Sequence, residues 1–171
     1  FAQNILGYYF GNNTINSDCQ DNVFENNFVG NTIGEDFYRN IVGVAVTNNI
    51  IGDTCQYNKF SSGFVNNNLG NNCSYNSFGN SCINLNLDSN FNGNTLGNNC
   101  SAITINGNAE RNIFGNNVIT VTITSVGVCK QNVFGDGYSN STIGDDCWYN
   151  TFGANCVNVS VGNNFKNNSV G

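Results

Sequence analysis

At 171 residues the chain holds 40 asparagines and 20 glycines, no proline, methionine or histidine, and only 9% charged residues, a composition foreign to acid–base enzymes. Its 39% hydrophobic and 12% aromatic content argues against disorder. A net charge of -6 with five basic residues argues against nucleic acid, whose phosphates need clustered Lys and Arg, and no apolar run reaches the length of a membrane-spanning helix.

The chain is read on a nine-residue ruler, because repeats decide the fold before any single element does. Stepping by nine from Leu6 gives Ile15, Phe24, Ile33, Val42, Ile51, Phe60, Leu69, Phe78, Leu87, Leu96, Ile105, Phe114 and Ile123, all apolar. A two-residue insertion within residues 124–128 shifts the series, which resumes at Phe134, Ile143, Phe152, Val161 and Val170. A second column lies four residues after the first, and it takes Phe10, Phe28, Phe37, Phe64, Phe91 and all eight cysteines. Glycine follows the first column at most steps, as in Gly34, Gly70, Gly79 and Gly153, and Asn, Asp or Ser follow it, a corner chemistry tolerant of positive φ.

Two residues before the first column stands asparagine, from Asn4 and Asn13 through Asn67, Asn76 and Asn94 to Asn168. The exceptions are Leu85, Ile103, Val121, Ser141 and Val159, and all five fall on alternate nine-residue units. Phenylalanine in the first column occurs only in the other set of units. The period is therefore eighteen residues, made of two unlike halves. Where asparagine is lost, the sequence alternates as a strand does, at Ile83, Ala102, Thr120 and Val157 onward.

These features predict an all-β protein: a single-stranded parallel β-solenoid, or β-helix, spanning residues 1–171 as one repeat domain. About nine and a half coils at a spacing of ~4.8 Å make a rod roughly 45 Å long. The asparagine column is expected inside or at a corner, with amides hydrogen-bonded along the axis. Cys55 with Cys73, Cys82 with Cys100, and Cys129 with Cys147 are one coil apart, a Cα separation that a disulfide accepts. Three axial disulfides are therefore expected, whereas Cys19 and Cys156 are expected as free buried thiols.

Function is sought on the outward positions. Asp21, Arg39, Tyr57 and Tyr75 fall in one stripe, with Trp148 and Tyr149 as a second aromatic spot. Both are candidate glycan contacts, against the simpler reading of stabilising ladders. Asp18, Glu35, Asp36 and Asp53 share corner positions without any calcium-binding repeat, so solvated carboxylates are expected, and no metal or cofactor. Sequons at Asn12, Asn72, Asn99, Asn140, Asn158 and Asn167 avoid the inward columns and are candidate glycosylation sites. Without histidine, no nucleophile and base can be named, and no enzymatic activity is expected.

The repeat seen at residues 67–73 (NNLGNNC) and 94–100 (NTLGNNC) resembles the Asn- and Gly-rich β-solenoid repeats of phage tail fibres and of microbial surface adhesins and fibrils. The resemblance implies an elongated protein in an extracellular, cell-surface or virion-surface setting. Phe1 already occupies a core column and Gly171 falls on a corner, so neither end shows the polar cap that hides an open solenoid edge, and the chain is expected either to continue in a larger protein or to stack end to end. The expected function is a structural subunit of an extracellular fibre that assembles head to tail with itself. The alternative is the shaft or receptor-binding part of an adhesin or phage tail fibre that binds surface glycan.

Overall fold

The structure, a computed structural model, describes residues 1–124 and 128–171, and it is all β with every strand pairing parallel. Like positions stack at a step of eighteen: Phe24 on Val42, Phe60 on Phe78, Asn86 on Thr104. Beyond the insertion the step becomes twenty for one coil, as at Ile113 with Val133 and Ala109 with Cys129, and then returns to eighteen. The shift lies between Thr124, which still bonds Ile105, and Val128, which bonds Asn108; residues 125–127 lie outside the described residues. The protein is a β-solenoid of about nine coils.

Four residues in most coils adopt the left-handed conformation, and they explain the coil's outline. In the coil of residues 58–75 these are Gly63 (φ 77°), Asn66 (55°), Asn72 (57°) and Tyr75 (56°). Between them run two extended stretches of five residues, 58–62 and 67–71, and two of two residues, 64–65 and 73–74. Each coil thus has two long and two short sides. The first long sides stack into a ten-strand sheet running from Ile5–Leu6 to Ser169–Val170. The first short side and second long side together form a thirteen-strand sheet. The second short side forms a four-strand sheet from Phe91–Asn92 to Cys147–Trp148, continued by single bridges such as Gln56 with Ser74.

Alternation along the extended sides decides what points inward. On a long side the asparagine position and the first-column residue share the inner face; on a short side the second-column residue is the inner one. Phe60, Phe64, Leu69 and Cys73 are all at most 1% exposed, as is Asn67. Like residues then stack face to face, Phe60 on Phe78 at 5.0 Å and 9°, and Phe134 on Phe152 at 4.6 Å and 12°. The glycine after the first column is a steric requirement in places: a Cβ on Gly34 would fall on the carbonyl oxygen of Asn16 in the preceding coil.

Candidate functional site

The most developed chemical feature of the molecule is the asparagine ladder on the first long side, whose ten members run from Asn4 to Asn168. Each member takes part in several bonds. The Asn58 backbone N–H donates to Asn76 Oδ1 at 2.9 Å, and Asn58 Nδ2 donates both to that oxygen (3.0 Å) and to the Phe37 carbonyl (2.7 Å). The pattern repeats at Asn22, Asn40, Asn76, Asn94, Asn112, Asn132 and Asn150. The expected inward placement and axial amide bonding are both present. Buried amides in a continuous chain leave no donor or acceptor stranded, which is what makes an inward polar column tolerable.

A second ladder, Asn13–Asn31–Asn49–Asn67, is built identically on the second long side and stops at Leu85. There the side chain no longer intercepts the backbone N–H. Strands accordingly lengthen from pairs such as Phe64–Val65 and Asn68–Leu69 to five-residue runs such as Ile83–Leu87 and Ser101–Ile105. At Val121 the Ser141 hydroxyl takes over, accepting its N–H at 3.0 Å.

A third, solvent-facing series escaped the sequence reading. Asn80 Oδ1 accepts the Asn98 N–H, Asn98 Oδ1 the Asn116 N–H, Asn116 Oδ1 the Asp136 N–H, and Asp136 Oδ1 the Ala154 N–H, at 2.8–3.0 Å. Its bonds run opposite to those of the buried ladder. The signal was the second residue after the first column, where Asn and Asp recur.

The cysteines require a correction. All eight are free thiols, so the disulfides Cys55–Cys73, Cys82–Cys100 and Cys129–Cys147 are not formed, although the members of each pair are stacked one coil apart. In-register residues on parallel strands carry parallel Cα–Cβ bonds. Their Cβ atoms therefore stay about 4.8 Å apart, beyond the roughly 3.5–4.5 Å that a disulfide spans. The thiols find other partners. Cys73, Cys82, Cys100, Cys147 and Cys156 donate to the carbonyl three residues earlier at 3.1–3.2 Å. Cys55 and Cys129 instead accept from Asn58 and Asn132 Nδ2 at 3.4 Å. Burial pushes the Cys19 thiol up to about 11 and Cys55 well above the ordinary thiol range. Cys100 is lowered to about 7, chiefly by its side-chain interaction with Cys82, whose own value rises as the two share one site, and the Cys82 backbone N–H donates to Cys100 Sγ at 3.4 Å. Cys19 is free and buried as expected; Cys156 is free but only half-buried.

The outward stripe is brought together in part. Arg39 makes a two-pronged ion pair with Asp21, both bonds 2.7 Å, and its guanidinium lies 4.7 Å from the Tyr38 ring. Tyr57 and Tyr75 stack at 5.1 Å and 14°, with Tyr38 edge-on to Tyr57 at 5.4 Å. Tyr75 also lies over Gly93, where a Cβ would meet its ring. The stack therefore spends the ring faces on one another and presents edges and hydroxyls to water. Trp148 and Tyr149 stand on the same two columns four coils further on, about 19 Å away at the coil spacing. Trp148 stacks in register between Lys130 and Lys166, and its indole N–H is buried without a hydrogen-bond partner. Tyr149 is 60% exposed.

The six sequon asparagines share one geometry: Asn12, Asn72, Asn99, Asn140, Asn158 and Asn167 are all exposed left-handed corners, with φ between 51° and 57°. Asn72 and Asn99 accept through Oδ1 from Asn90 and Asn117, whereas Asn158 donates its Nδ2 to Asn140 at 3.2 Å. Of the corner acids, Asp53 accepts the Asn71 N–H at 2.7 Å, so one carboxylate of that group already serves the backbone. Among the described residues no three metal-ligating side chains converge. Comparison with protein-family models, with curated proteins and with solved structures finds no match.

Proposed function

We propose that this chain is a structural segment of an extracellular fibre, extended by head-to-tail stacking of copies of the same solenoid. The supporting observation is the state of the outermost coils. The Asn4 carboxamide oxygen at one end and the Asn168 backbone N–H at the other have no hydrogen-bond partner among the described residues, and they are the acceptor and donor that a further coil, of a copy or of the same chain, would join. Around them the core columns lie open. Phe152, Cys156, Val159, Val161, Phe165 and Val170 line an apolar groove of about 350 Å³ at one end, and at the other Phe1 is exposed and Leu6 and Phe10 are only partly buried. Added coils bury this surface and pair both strand edges. The resemblance of the repeats to those of microbial fibrils, adhesins and tail fibres points the same way.

Electron microscopy of the purified chain tests the reading. Filaments with a ~4.8 Å axial repeat in fibre diffraction are expected, and Val170→Asp should abolish them while leaving the circular dichroism of the monomer unchanged. Monodisperse rods from the unaltered chain at high concentration would overturn it. A second reading, a shaft that binds surface glycan, draws on the open Tyr149 ring beside Trp148. It expects glycan-array binding that is lost in Tyr149→Ala.

A further inference from the structure

Tyr57 and Tyr75 are the only two phenols on the described surface stacked on one another, and their geometry is that of a reaction pair. They occupy equivalent corners of adjacent coils, φ 56° at each, so both side chains leave the backbone in the same direction. Their ring centroids are 5.1 Å apart, the planes differ by 14°, and the residues are 50% and 52% exposed. Neighbouring groups confine the pair. Tyr38 closes one end, itself covered by the Arg39 guanidinium that Asp21 holds in place, and Gly93 leaves room for the Tyr75 ring at the other. Tyr149, in the same column, stacks on no other aromatic ring among the described residues.

We propose that Tyr57 and Tyr75 are an oxidative coupling site that closes into a dityrosine, a covalent staple between successive coils. The oxidant is hydrogen peroxide acting through a haem peroxidase, which takes one electron and one proton from each phenol. The two phenoxyl radicals join through a carbon ortho to each oxygen, forming one C–C bond. Each of those carbons then gives its hydrogen to the solvent as a proton while its phenolic oxygen regains one, restoring both aromatic rings. The net change is two ortho C–H bonds lost and one C–C bond made, with one peroxide reduced to two waters. Stacking replaces a bimolecular encounter by an intramolecular one, which favours this pair over coupling between chains. The position is also where an axial staple is geometrically accessible: unlike the inward thiols, these exposed side chains can swing to shorten the distance between reacting atoms. The inference stands independently of the fibre reading, since it needs only one folded chain.

The test uses the full chain, dilute, with a haem peroxidase and hydrogen peroxide, reduced with excess thiol before measurement so that a disulfide cannot imitate the product. The expected result is monomer whose intact mass has fallen by two hydrogen atoms, blue dityrosine fluorescence, and a cross-linked peptide joining residues 57 and 75. Tyr57→Phe and Tyr75→Phe should each lose the fluorescence, whereas Tyr149→Phe should retain it. Unchanged monomer mass, or a cross-link mapped to any other pair in the unaltered chain, would overturn the proposal. Because the peptide map is read on the unaltered chain, it decides the matter even if a variant folds poorly.

Discussion

From Asn13 to Asn67 the second long side of each coil begins with asparagine, and from Leu85 to Val159 it begins with Leu, Ile, Val, Ser or Val. Yet the corner before it does not change: φ is 56° at Asn12 and 57° at Asn48, against 54° at Ala102 and 56° at Thr120. The two regions keep one backbone path with different hydrogen-bond bookkeeping. Where asparagine is present, its carboxamide accepts the N–H from the coil before, and the strand is interrupted at that residue, as between Phe10–Gly11 and Thr14–Gln20 or between Phe64–Val65 and Asn68–Leu69. Where it is absent, pairing runs on through five residues. Asparagine is therefore one of two ways to satisfy this edge of the coil, not a condition of forming it. The first long side shows no such exchange, since asparagine persists there at all ten ladder positions. A buried polar column and a buried aliphatic one thus face each other in the second half of the rod, whereas two polar columns face each other in the first.

The largest effect should come from breaking the unexchanged ladder. Asn94→Leu removes the acceptor for the Asn76 N–H and Nδ2 and the donor to the Cys73 carbonyl, in a site with no exposure. Each buried group left unpaired costs about 1–3 kcal/mol, so chemical denaturation should show a loss of several such increments. Asn67→Leu should cost less, about 1–3 kcal/mol, because it moves the junction between the regions back by one coil: it strands the donors of Asn49 and removes the Nδ2 bonds to the Val46 and Val65 carbonyls, but no ladder member lies beyond it. Leu85→Asn moves the junction forward and gives Asn67 a new acceptor. It should be milder than Ile103→Asn, which buries a carboxamide with no ladder neighbour. Equal losses for these last two would break the comparison.

Alkaline solution should separate the regions from the thiols they enclose. Burial raises Cys19 and Cys55 above the ordinary value of 9.0, so the folded state favours the neutral form. Their contribution is complete below pH ~9 and is lost as pH rises through the folded value, which is about 11 for Cys19. The urea midpoint is expected to fall between pH 9 and 11 more steeply in the unaltered protein than in Cys55→Ala. A parallel decline in both would assign the effect to other groups.

The inward columns were legible because inward positions are chemically uniform: nine-residue spacing of Phe, Ile and Leu has only one economical reading. The loss of asparagine at Leu85 was legible for the same reason, and so was the strand-like alternation that replaces it. Corners were less so. Left-handed residues recur in pairs three apart, yet their identities range over Asn66, Tyr75, Arg111, Ala102 and Thr120, since an outward corner side chain meets little that selects it. The disulfide expectation failed on direction, because Cα spacing says nothing of the parallel Cα–Cβ bonds. The stripe of Tyr57 and Tyr75 could be placed in one column, with Gly93 next in it and Tyr38 in the column beside it, but spacing places residues and does not orient rings, so the stacking itself was not legible.

Tyr138 offers a smaller test within the core. Its ring continues the column of Val118 and Cys156, but its hydroxyl is buried without a hydrogen-bond partner. Tyr138→Phe keeps the ring packed against Phe134, centroids 4.7 Å apart and planes tilted by 54°, and removes the stranded group, so a gain of about 1 kcal/mol is expected.

The smallest expected effect is the most specific to the comparison. If one corner serves both regions, the aliphatic half should still prefer the residues that the asparagine half uses there. Thr120 is β-branched and sits at φ 56°, where its Cβ crowds the following carbonyl, a strain of about 1 kcal/mol that asparagine largely avoids. Thr120→Asn should therefore stabilise the protein by up to about 1 kcal/mol, and it places an amide beside Asn140, continuing the outer pairs seen between Asn66 and Asn84 and between Asn140 and Asn158. A matched pair of thermal melts reads the change. A loss would mean that the outward face of this half is built around Thr120 itself, and the corner would then no longer be common to the two regions.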